Sequence, residues 1–355
     1  MRAHELAERG GESQQRFEAL YGVWQSNLAS GGIAAASPHS ERLLRMAERE
    51  GDDGLRLQAH HSAWSTLCWA GDPAKTREHT DAGRRLYDPE KHASHRLVYG
   101  GHDSGACAGY VGGMAEWLFG YPQKALASTV DSLVLAERIA HPFTLSIALV
   151  LSSVLYLNRR EPERALRQLE AAEVLAAEQR LYLLYEPGML RGAALLGQGA
   201  VEDAIARIRE GAAKWTGLGR TFNLPYGLAF LAEGLARHGD RAVALATLRE
   251  GLETAGATGE HMWDAELHRL TGTVLLAENK LNEGEASLQQ AIRIAQAQQA
   301  KSLELRAATS LARLWGERGR RAEARELLAP IYGWFTEGFD TADLKEAKAL
   351  LDHLA

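Results

Sequence analysis

Several residue types that mark common classes of protein are scarce in this sequence. Two cysteines, Cys68 and Cys107, occur in 355 residues. They are too few for a disulfide framework, so we expect a reducing, cytoplasmic environment. The first residues are polar and charged, which does not predict a secretory signal. The longest apolar stretch, Leu145 to Leu157, is interrupted by serines and is too short to span a bilayer, so it predicts a buried helix and no membrane partner.

Signatures of catalysis and of nucleic-acid binding are missing as well. The sequence has no Gly-Lys dipeptide and no GxSxG, CxxC or HExxH motif, which argues against a P-loop, a nucleophile elbow and the common zinc motifs. The formal net charge is −6, and lysine and arginine alternate with acidic residues. No basic patch for DNA or RNA is therefore expected. Aromatic residues make up 7%, and Ala, Leu and Glu dominate, which is typical of helical proteins.

A repeat of about 40 residues runs through the chain. Turn residues, seven of eight of them Gly or Asn, recur ahead of small residues that would let a second helix pack closely. The turn positions are Gly31, Gly71, Gly120, Arg160, Gly199, Gly239, Asn279 and Gly319, and the packing positions are Ala36, Thr76, Ala125, Ala165, Ala204, Ala244, Gly284 and Ala324. The spacings are 40, 49, 40, 39, 40, 40 and 40. This register predicts an all-α, right-handed solenoid of the tetratricopeptide (TPR) kind, with about eight helical hairpins.

The two ends of the chain are expected to differ from the repeats. Residues 1–11 are expected to be frayed, and residues 12–355 to form a single superhelical domain. The segment from about Thr341 to Leu354 predicts a closing helix, with Thr341 and Asp343 near its N-cap. Its mixed charges predict a cap that faces solvent, which a solenoid needs at its end.

The 49-residue spacing marks an insertion of nine residues, in a loop at about residues 87–104. Histidines and an acid concentrate there: His92, His95, His102 and Asp103, with His60 and His61 one helix earlier. These side chains could bind a divalent transition metal such as zinc. A metal-dependent hydrolase that uses the loop is then the alternative function. The lack of any established zinc motif favours a surface loop whose histidines bond to backbone carbonyls.

The first helices of the repeats are expected to line a curved inner surface. Counting back from the packing positions places three rows of residues on it, apolar in the middle of the chain and charged toward the ends. The candidate ligand contacts are His61, Tyr110, Met114, Glu186, Tyr226, Glu233, Glu266, Arg269 and Arg306. Such a groove suits a protein, a peptide or a small inducer. The competing interpretation is a solvated face without a ligand, and a homo-oligomer is left open.

Three segments near the C-terminal end resemble a known bacterial family. They are residues 263–270 (WDAELHRL), 300–315 (AKSLELRAATSLARLW) and 332–347 (YGWFTEGFDTADLKEA). They are similar to the TPR module at the C-terminal end of signalling ATPases that are linked to class III adenylate or guanylate cyclase or transcription-regulator domains. The resemblance implies a non-catalytic sensor or scaffold. It supplies no catalytic residues, and it leaves open a detached module, a truncated gene or a stand-alone adaptor.

Overall fold

The computed structural model describes residues 13–181 and 186–355, so the expectation that residues 1–11 are frayed falls outside the described residues. Throughout these two ranges the regular elements are helices. They are α1 (Ser13–Ser30), α2 (Ile33–Glu50), α3 (Asp53–Ala70), α4 (Pro73–Leu86), α5 (His95–Val98), α6 (Ser104–Leu118), α7 (Pro122–Ile139), α8 (Pro142–Asn158), α9 (Pro162–Gln179), α10 (Pro187–Gly197), α11 (Val201–Gly217), α12 (Leu224–His238), α13 (Arg241–Thr258), α14 (Asp264–Ala277), α15 (Leu281–Ala297), α16 (Lys301–Glu317), α17 (Arg321–Gly333) and α18 (Ala342–Leu354).

Sixteen of these helices form eight consecutive hairpins. The pairs are α1–α2, α3–α4, α6–α7, α8–α9, α10–α11, α12–α13, α14–α15 and α16–α17, and α18 closes the stack. The short helix α5 lies in the inserted loop. The predicted TPR-like solenoid with a closing helix is confirmed. No helix within the described residues is both long and apolar enough to cross a membrane.

The repeat register is visible in the backbone. All eight predicted turn positions have positive φ, from 60° at Arg160 to 108° at Gly239. The packing positions, from Ala36 to Ala324, are buried in the second helix of each hairpin. The close spacing of antiparallel helices therefore has the cause that the sequence indicated, since small side chains occupy the contact.

A second series of left-handed turns was not predicted from the sequence. Twenty residues after most of the first turns, the chain again adopts positive φ between one hairpin and the next: Gly51, Ala140, Arg180, Gly219, Gly259 and Gln299. Only three of these six are glycine, so composition gave a weak signal for them. Six of the eight hairpins are thus two half-repeats of about twenty residues, both of which end in a left-handed turn.

The superhelix closes on itself. Thr221, before α12, donates two hydrogen bonds to the carbonyl oxygen of Ser30, from its backbone N (3.3 Å) and from Oγ1 (3.1 Å), across 191 residues of sequence. Ser302 donates to the carbonyl oxygen of Trp117 across 185 residues. Gly31 can only be glycine at this closure, because a Cβ atom there would collide with Thr221. The C-terminal half therefore covers the turns of the N-terminal hairpins and the ends of the first helices that lead into them.

The closing helix α18 does more than shield the end of the stack. Leu344 and Ala347 are buried against the last hairpin. On its other side, Asp343 and Glu346 form ion pairs with arginines of the repeats. The prediction of a solvent-facing cap is wrong for this acidic face, because the superhelix curves round far enough to bring Arg160 against it.

Candidate functional site

A cavity of about 410 Å³ lies on the concave side of the C-terminal hairpins. It is bounded by α8, α10, α12, α14, α16 and α18. Its apolar lining includes Leu157, Tyr226, Phe230 and Trp263. The ring of Tyr226 stacks on that of Trp263, with centroids 4.4 Å apart. This volume falls within the range of about 300–1,000 Å³ that is usual for small-ligand sites.

The rest of the lining is unusually rich in charge. Five arginines and four acids surround the cavity: Arg160, Arg237, Arg269, Arg306, Arg313, Glu233, Glu266, Asp343 and Glu346. Each of the nine belongs to at least one ion pair. A cavity with both apolar and charged walls can recognise a ligand that carries both kinds of group.

A bidentate ion pair joins Glu266 to Arg269 at the cavity wall. Arg269 donates to the two carboxylate oxygens of Glu266 from Nε (2.9 Å) and Nη2 (2.7 Å), in a bidentate arrangement. Burial raises the pKa of Glu266, but the charges of Arg269 and Arg306 outweigh burial and lower this pKa to about 2. Glu266 therefore carries its negative charge throughout the physiological range.

Arg306 ties three elements together at the cavity wall. Its Nε donates to Asp343 of α18 at 2.8 Å, and its Nη2 donates to the carbonyl oxygen of Asn158 at the end of α8. Its guanidinium also lies over the ring of Trp117, 5.1 Å from the centroid. Since α8, α16 and α18 meet here, the wall of the cavity is part of the contact that closes the superhelix.

The acidic face of α18 engages two further arginines. Glu346 accepts hydrogen bonds from Arg160 Nη1 (2.7 Å) and Arg313 Nη2 (2.5 Å), and Arg160 Nη1 is also 3.4 Å from Asp343. The side chains of Arg160 and Arg313 remain 51% and 45% exposed. These two guanidinium groups can therefore be reached by a ligand without unfolding the site.

Of the nine predicted groove residues, the structure brings five to this cavity: Tyr226, Glu233, Glu266, Arg269 and Arg306. The other four do not line it. His61, Tyr110 and Met114 are buried in the N-terminal half, where the inner face is packed. Glu186 accepts from the backbone N of Gly188 at the start of α10 and pairs with Lys214. The structure thus does not bring these four residues to the cavity, and the repeat register alone does not reveal the local contacts that hold His61 and Glu186 elsewhere.

Several cavity residues were missed at the sequence level. Arg160 is the one predicted turn position that is neither Gly nor Asn, and this departure could have marked it as a functional residue. Asp343 and Glu346 were assigned to a solvent-facing cap. Arg237, one turn after Glu233 on α12, donates to the carbonyl oxygen of Leu196 and to Glu233. Arg237 lies four residues after Glu233 on the same face of the helix, and this spacing could have identified it.

The inserted loop does not gather the predicted metal ligands. The Nδ1 atom of His92 accepts from the backbone N of Asp88 at 3.0 Å. The two oxygens of Asp103 accept from Ala106 N (2.9 Å) and Tyr87 OH (3.0 Å), so this carboxylate caps α6. The structure therefore does not bring His92, His95, His102 and Asp103 together as one set of ligands, because the side chains of His92 and Asp103 hold the loop and a helix end in place.

A different group does converge. Among the described residues, His61, His102 and Cys107 offer ligand atoms that all lie within 4.8 Å of one another. Burial lowers the pKa of both imidazoles, which are neutral as a result. His60 points elsewhere, with its Nδ1 2.8 Å from Nδ1 of His79. His102 of the predicted loop set and His61, one of the two possible additional ligands, thus lie beside Cys107, which was not predicted as a ligand.

Comparison with known sequences identifies one relative. No protein-family model matches the chain. An uncharacterized protein of Rhizobium meliloti (strain 1021) is 27% identical over 241 residues, which cover 66% of this chain and 23% of that protein. The chain thus spans about a quarter of the length of this relative.

Comparison with solved structures supports the fold. The Cut9–Hcn1 hetero-tetramer of the APC/C has a TM-score of 0.57 at 13% identity and covers 99% of this chain and 58% of the other. A Rap protein complexed with competence and sporulation factor has a TM-score of 0.57 at 10% identity, covering 96% and 98%. NprR in complex with its cognate peptide NprX has a TM-score of 0.56 at 12% identity, covering 94% and 96%. At these identities the likeness shows a shared TPR-like fold.

Proposed function

We propose that this protein is a non-catalytic binding module that takes a short peptide into its concave cavity. The observation that carries the proposal is the cavity itself. It lies on the inner face of the superhelix and combines an apolar lining with nine charged side chains. Solenoids use their concave surface for extended ligands. A regulatory role in bacterial signalling, as the sequence resemblance implies, forms part of this proposal.

Two of the similar structures support a peptide ligand. The Rap protein and NprR each carry a peptide or factor in the named complexes, and their likeness to this chain extends over nearly its whole length. A volume of about 410 Å³ accommodates a few side chains or one end of a peptide, but not a protein domain.

The chemistry of the walls suggests how a peptide is held. A peptide carboxylate can join Arg160 or Arg313, whose guanidinium groups are half exposed and already oriented by Glu346. Apolar peptide side chains can contact Tyr226 and Phe230, whose rings meet edge to face at 4.9 Å. We infer a ligand with a free or side-chain carboxylate next to apolar residues.

Blocking the cavity tests the proposal. Thr273 of α14 lines the cavity, and Thr273→Trp places a large ring in it. Thr216→Trp, at an exposed position of α11, is the matched control. A fluorescent peptide library screened by anisotropy should yield ligands whose affinity falls at least about tenfold, roughly 1.4 kcal/mol, in the first variant and not in the second. Equal binding by the two variants would place the ligand outside the cavity and refute the proposal.

A small inducer in the same cavity is the second candidate. A thermal-shift screen distinguishes it, because a ligand that binds only the folded protein raises the melting temperature with its concentration. A metabolite that stabilises the wild type but not Thr273→Trp, with no peptide that does so, would favour the inducer.

A further inference from the structure

The cluster of His61, His102 and Cys107 lies where the repeat period breaks. His61 is on α3, Cys107 is on α6, and His102 is in the inserted loop just before α6. His61 and Cys107 are buried, and His102 is partly exposed. The cluster is thus enclosed, with a way in from the loop side.

The two imidazoles face each other through their Nε2 atoms at 3.2 Å. Two nitrogen ligands at about 2.0–2.1 Å from a tetrahedral zinc ion are about 3.3 Å apart. The Nδ1 atom of His102 is 3.0 Å from the carbonyl oxygen of Gly100. A carbonyl oxygen only accepts, so Nδ1 carries the proton of the neutral ring and Nε2 presents a lone pair. A hydrogen bond from the outer nitrogen to a carbonyl is the usual support of a metal-binding histidine.

The second imidazole can present a lone pair without moving a neighbour. The Nδ1 atom of His61 is 3.2 Å from Gln58 Oε1 and 3.0 Å from Tyr21 OH. The Gln58 amide nitrogen donates to Ser104 Oγ at 3.1 Å, which keeps Oε1 toward His61. When Nδ1 carries the proton, it donates to Oε1 and leaves Nε2 free. When Nε2 carries the proton, it donates to His102 and Tyr21 donates to Nδ1.

The sulfur of Cys107 is surrounded by donors. Trp64 Nε1 donates to Sγ at 3.3 Å, and Tyr110 and Ser65 also hydrogen-bond to it. A thiol is a weak acceptor, whereas a thiolate that is bound to a metal uses such donors fully. Burial nevertheless raises the pKa of Cys107 to about 11. The surroundings thus suit a thiolate that only a nearby cation would generate.

We propose that His61, His102 and Cys107 bind one transition-metal ion that accepts imidazole and thiolate ligands, zinc(II) in the first instance. The three ligands leave one coordination position for water. On binding at neutral pH, the thiol proton of Cys107 leaves to solvent and the His61 proton moves from Nε2 to Nδ1, so one proton is released for each ion. The ion joins α3, α6 and the inserted loop, and it is independent of the peptide cavity.

The test is a titration of the full chain with cobalt(II) and zinc(II). One cobalt ion per chain should give visible ligand-field bands and a thiolate-to-cobalt charge-transfer band. Cys107→Ser should abolish the charge-transfer band, and His102→Gln should weaken zinc binding by about 100-fold, as the loss of a ligand or of its support does. Cys68→Ser, at the other buried cysteine, should leave both measurements unchanged.

A second matched control is His79→Gln, because His60 and His79 form another close imidazole pair that has no thiol beside it. Loss of cobalt binding in His79→Gln or Cys68→Ser would overturn the proposal, as would a charge-transfer band that survives Cys107→Ser. No bound ion in the wild type would also refute it. If Cys107→Ser misfolds by circular dichroism, His102→Gln decides, since its partly exposed side chain can be exchanged without emptying the core. Zinc should raise the melting temperature of the wild type but not of His102→Gln.

Discussion

The two halves of the superhelix use equivalent positions in opposite ways. His61 in the second hairpin and Arg269 in the seventh occupy the same place in the repeat, as do Met114 and Arg313. In the N-terminal half these positions are buried. In the C-terminal half they line the cavity. The comparison shows that the repeat register determines the direction in which a side chain points, whereas packing between hairpins determines which residues it contacts.

The closure explains why the first half is filled. The ring of Trp117 lies 6.4 Å from that of Trp263, and Tyr226 donates to Asn158 across the axis. Apolar side chains that would be unfavourable in an open groove become core when the other half covers them. The charged residues are left at the end where the coverage stops, around the cavity.

The largest expected effect comes from opening the closure at Trp263. This side chain is fully buried and packs on Tyr226 and toward Trp117. Trp263→Ala should lower the free energy of unfolding by about 4 kcal/mol, since Trp-to-Ala changes in a core cost about 3–5 kcal/mol. Urea denaturation measures the loss. The control Leu218→Ala, at an exposed position, should change it by less than about 0.5 kcal/mol. Equal effects would show that the two halves do not stabilise each other.

A pH dependence should arise at the same closure. Glu260 is in the segment before α14, near Met262, whose backbone N donates to the carbonyl oxygen of Trp69. Burial raises the pKa of Glu260 from 4.5 to about 8, although Asn223 N donates to it. The folded protein then keeps a proton that the unfolded chain loses. The contribution of Glu260 to the unfolding free energy should therefore fall as pH rises from about 4.5 to about 8, by on the order of 4 kcal/mol. Histidines such as His61 and His102, whose pKa values are lowered by burial, act in the opposite direction, so the fall is read as the difference from a variant that lacks this carboxyl group.

Glu260→Gln isolates this titration. The neutral amide should remove that fall, so the variant should exceed the wild type in stability at pH 8 and match it at pH 4.5. Glu210→Gln, at a side chain that is 74% exposed, should leave the pH profile unchanged. Identical pH profiles for the wild type and Glu260→Gln between pH 5 and pH 8 would mean that Glu260 is not buried at a closed contact.

The smallest expected effect concerns a left-handed turn, which depends on local backbone conformation and not on the closure of the superhelix. Gln299 lies two residues after the end of α15, has φ of 56° and is exposed. Gln299→Gly should raise the unfolding free energy by about 1 kcal/mol, because glycine adopts positive φ without steric cost. Gln290→Gly, inside α15, should lower it by about 1 kcal/mol. Thermal or urea unfolding gives both signs. If both changes lowered the unfolding free energy, positive φ would not be what makes glutamine unfavourable at position 299.

Much of the fold could be predicted, because its determinants are local. Gly31 and Asn279 mark left-handed turns, and Ala165 marks close packing, so the spacing alone locates the hairpins. The closure could not be predicted this way. It depends on small rotations between hairpins that accumulate over about 190 residues, and no single residue encodes them.

The candidate sites were only partly predictable for the same reason. Tyr226 and Glu266 were predicted correctly because they lie on the part of the inner face that borders the cavity. Asp343 lines the cavity because the superhelix closes, and no residue spacing in the sequence predicts that contact. His102 was noticed from its neighbours in sequence, but its actual partners, His61 and Cys107, come from other helices. Spacing along one loop cannot reveal a contact that depends on packing between elements.

The contacts between Ser30 and Thr221, and between Trp117 and Ser302, also bear on biosynthesis. A ribosome delivers Trp69 and Trp117 well before Phe222 and Trp263, whose rings pack against them, so the nascent chain exposes these two tryptophans during that interval. Unlike solenoids whose units contact only adjacent ones, this protein should complete its fold only after the later hairpins have emerged, and its need for chaperones should be greatest before that point.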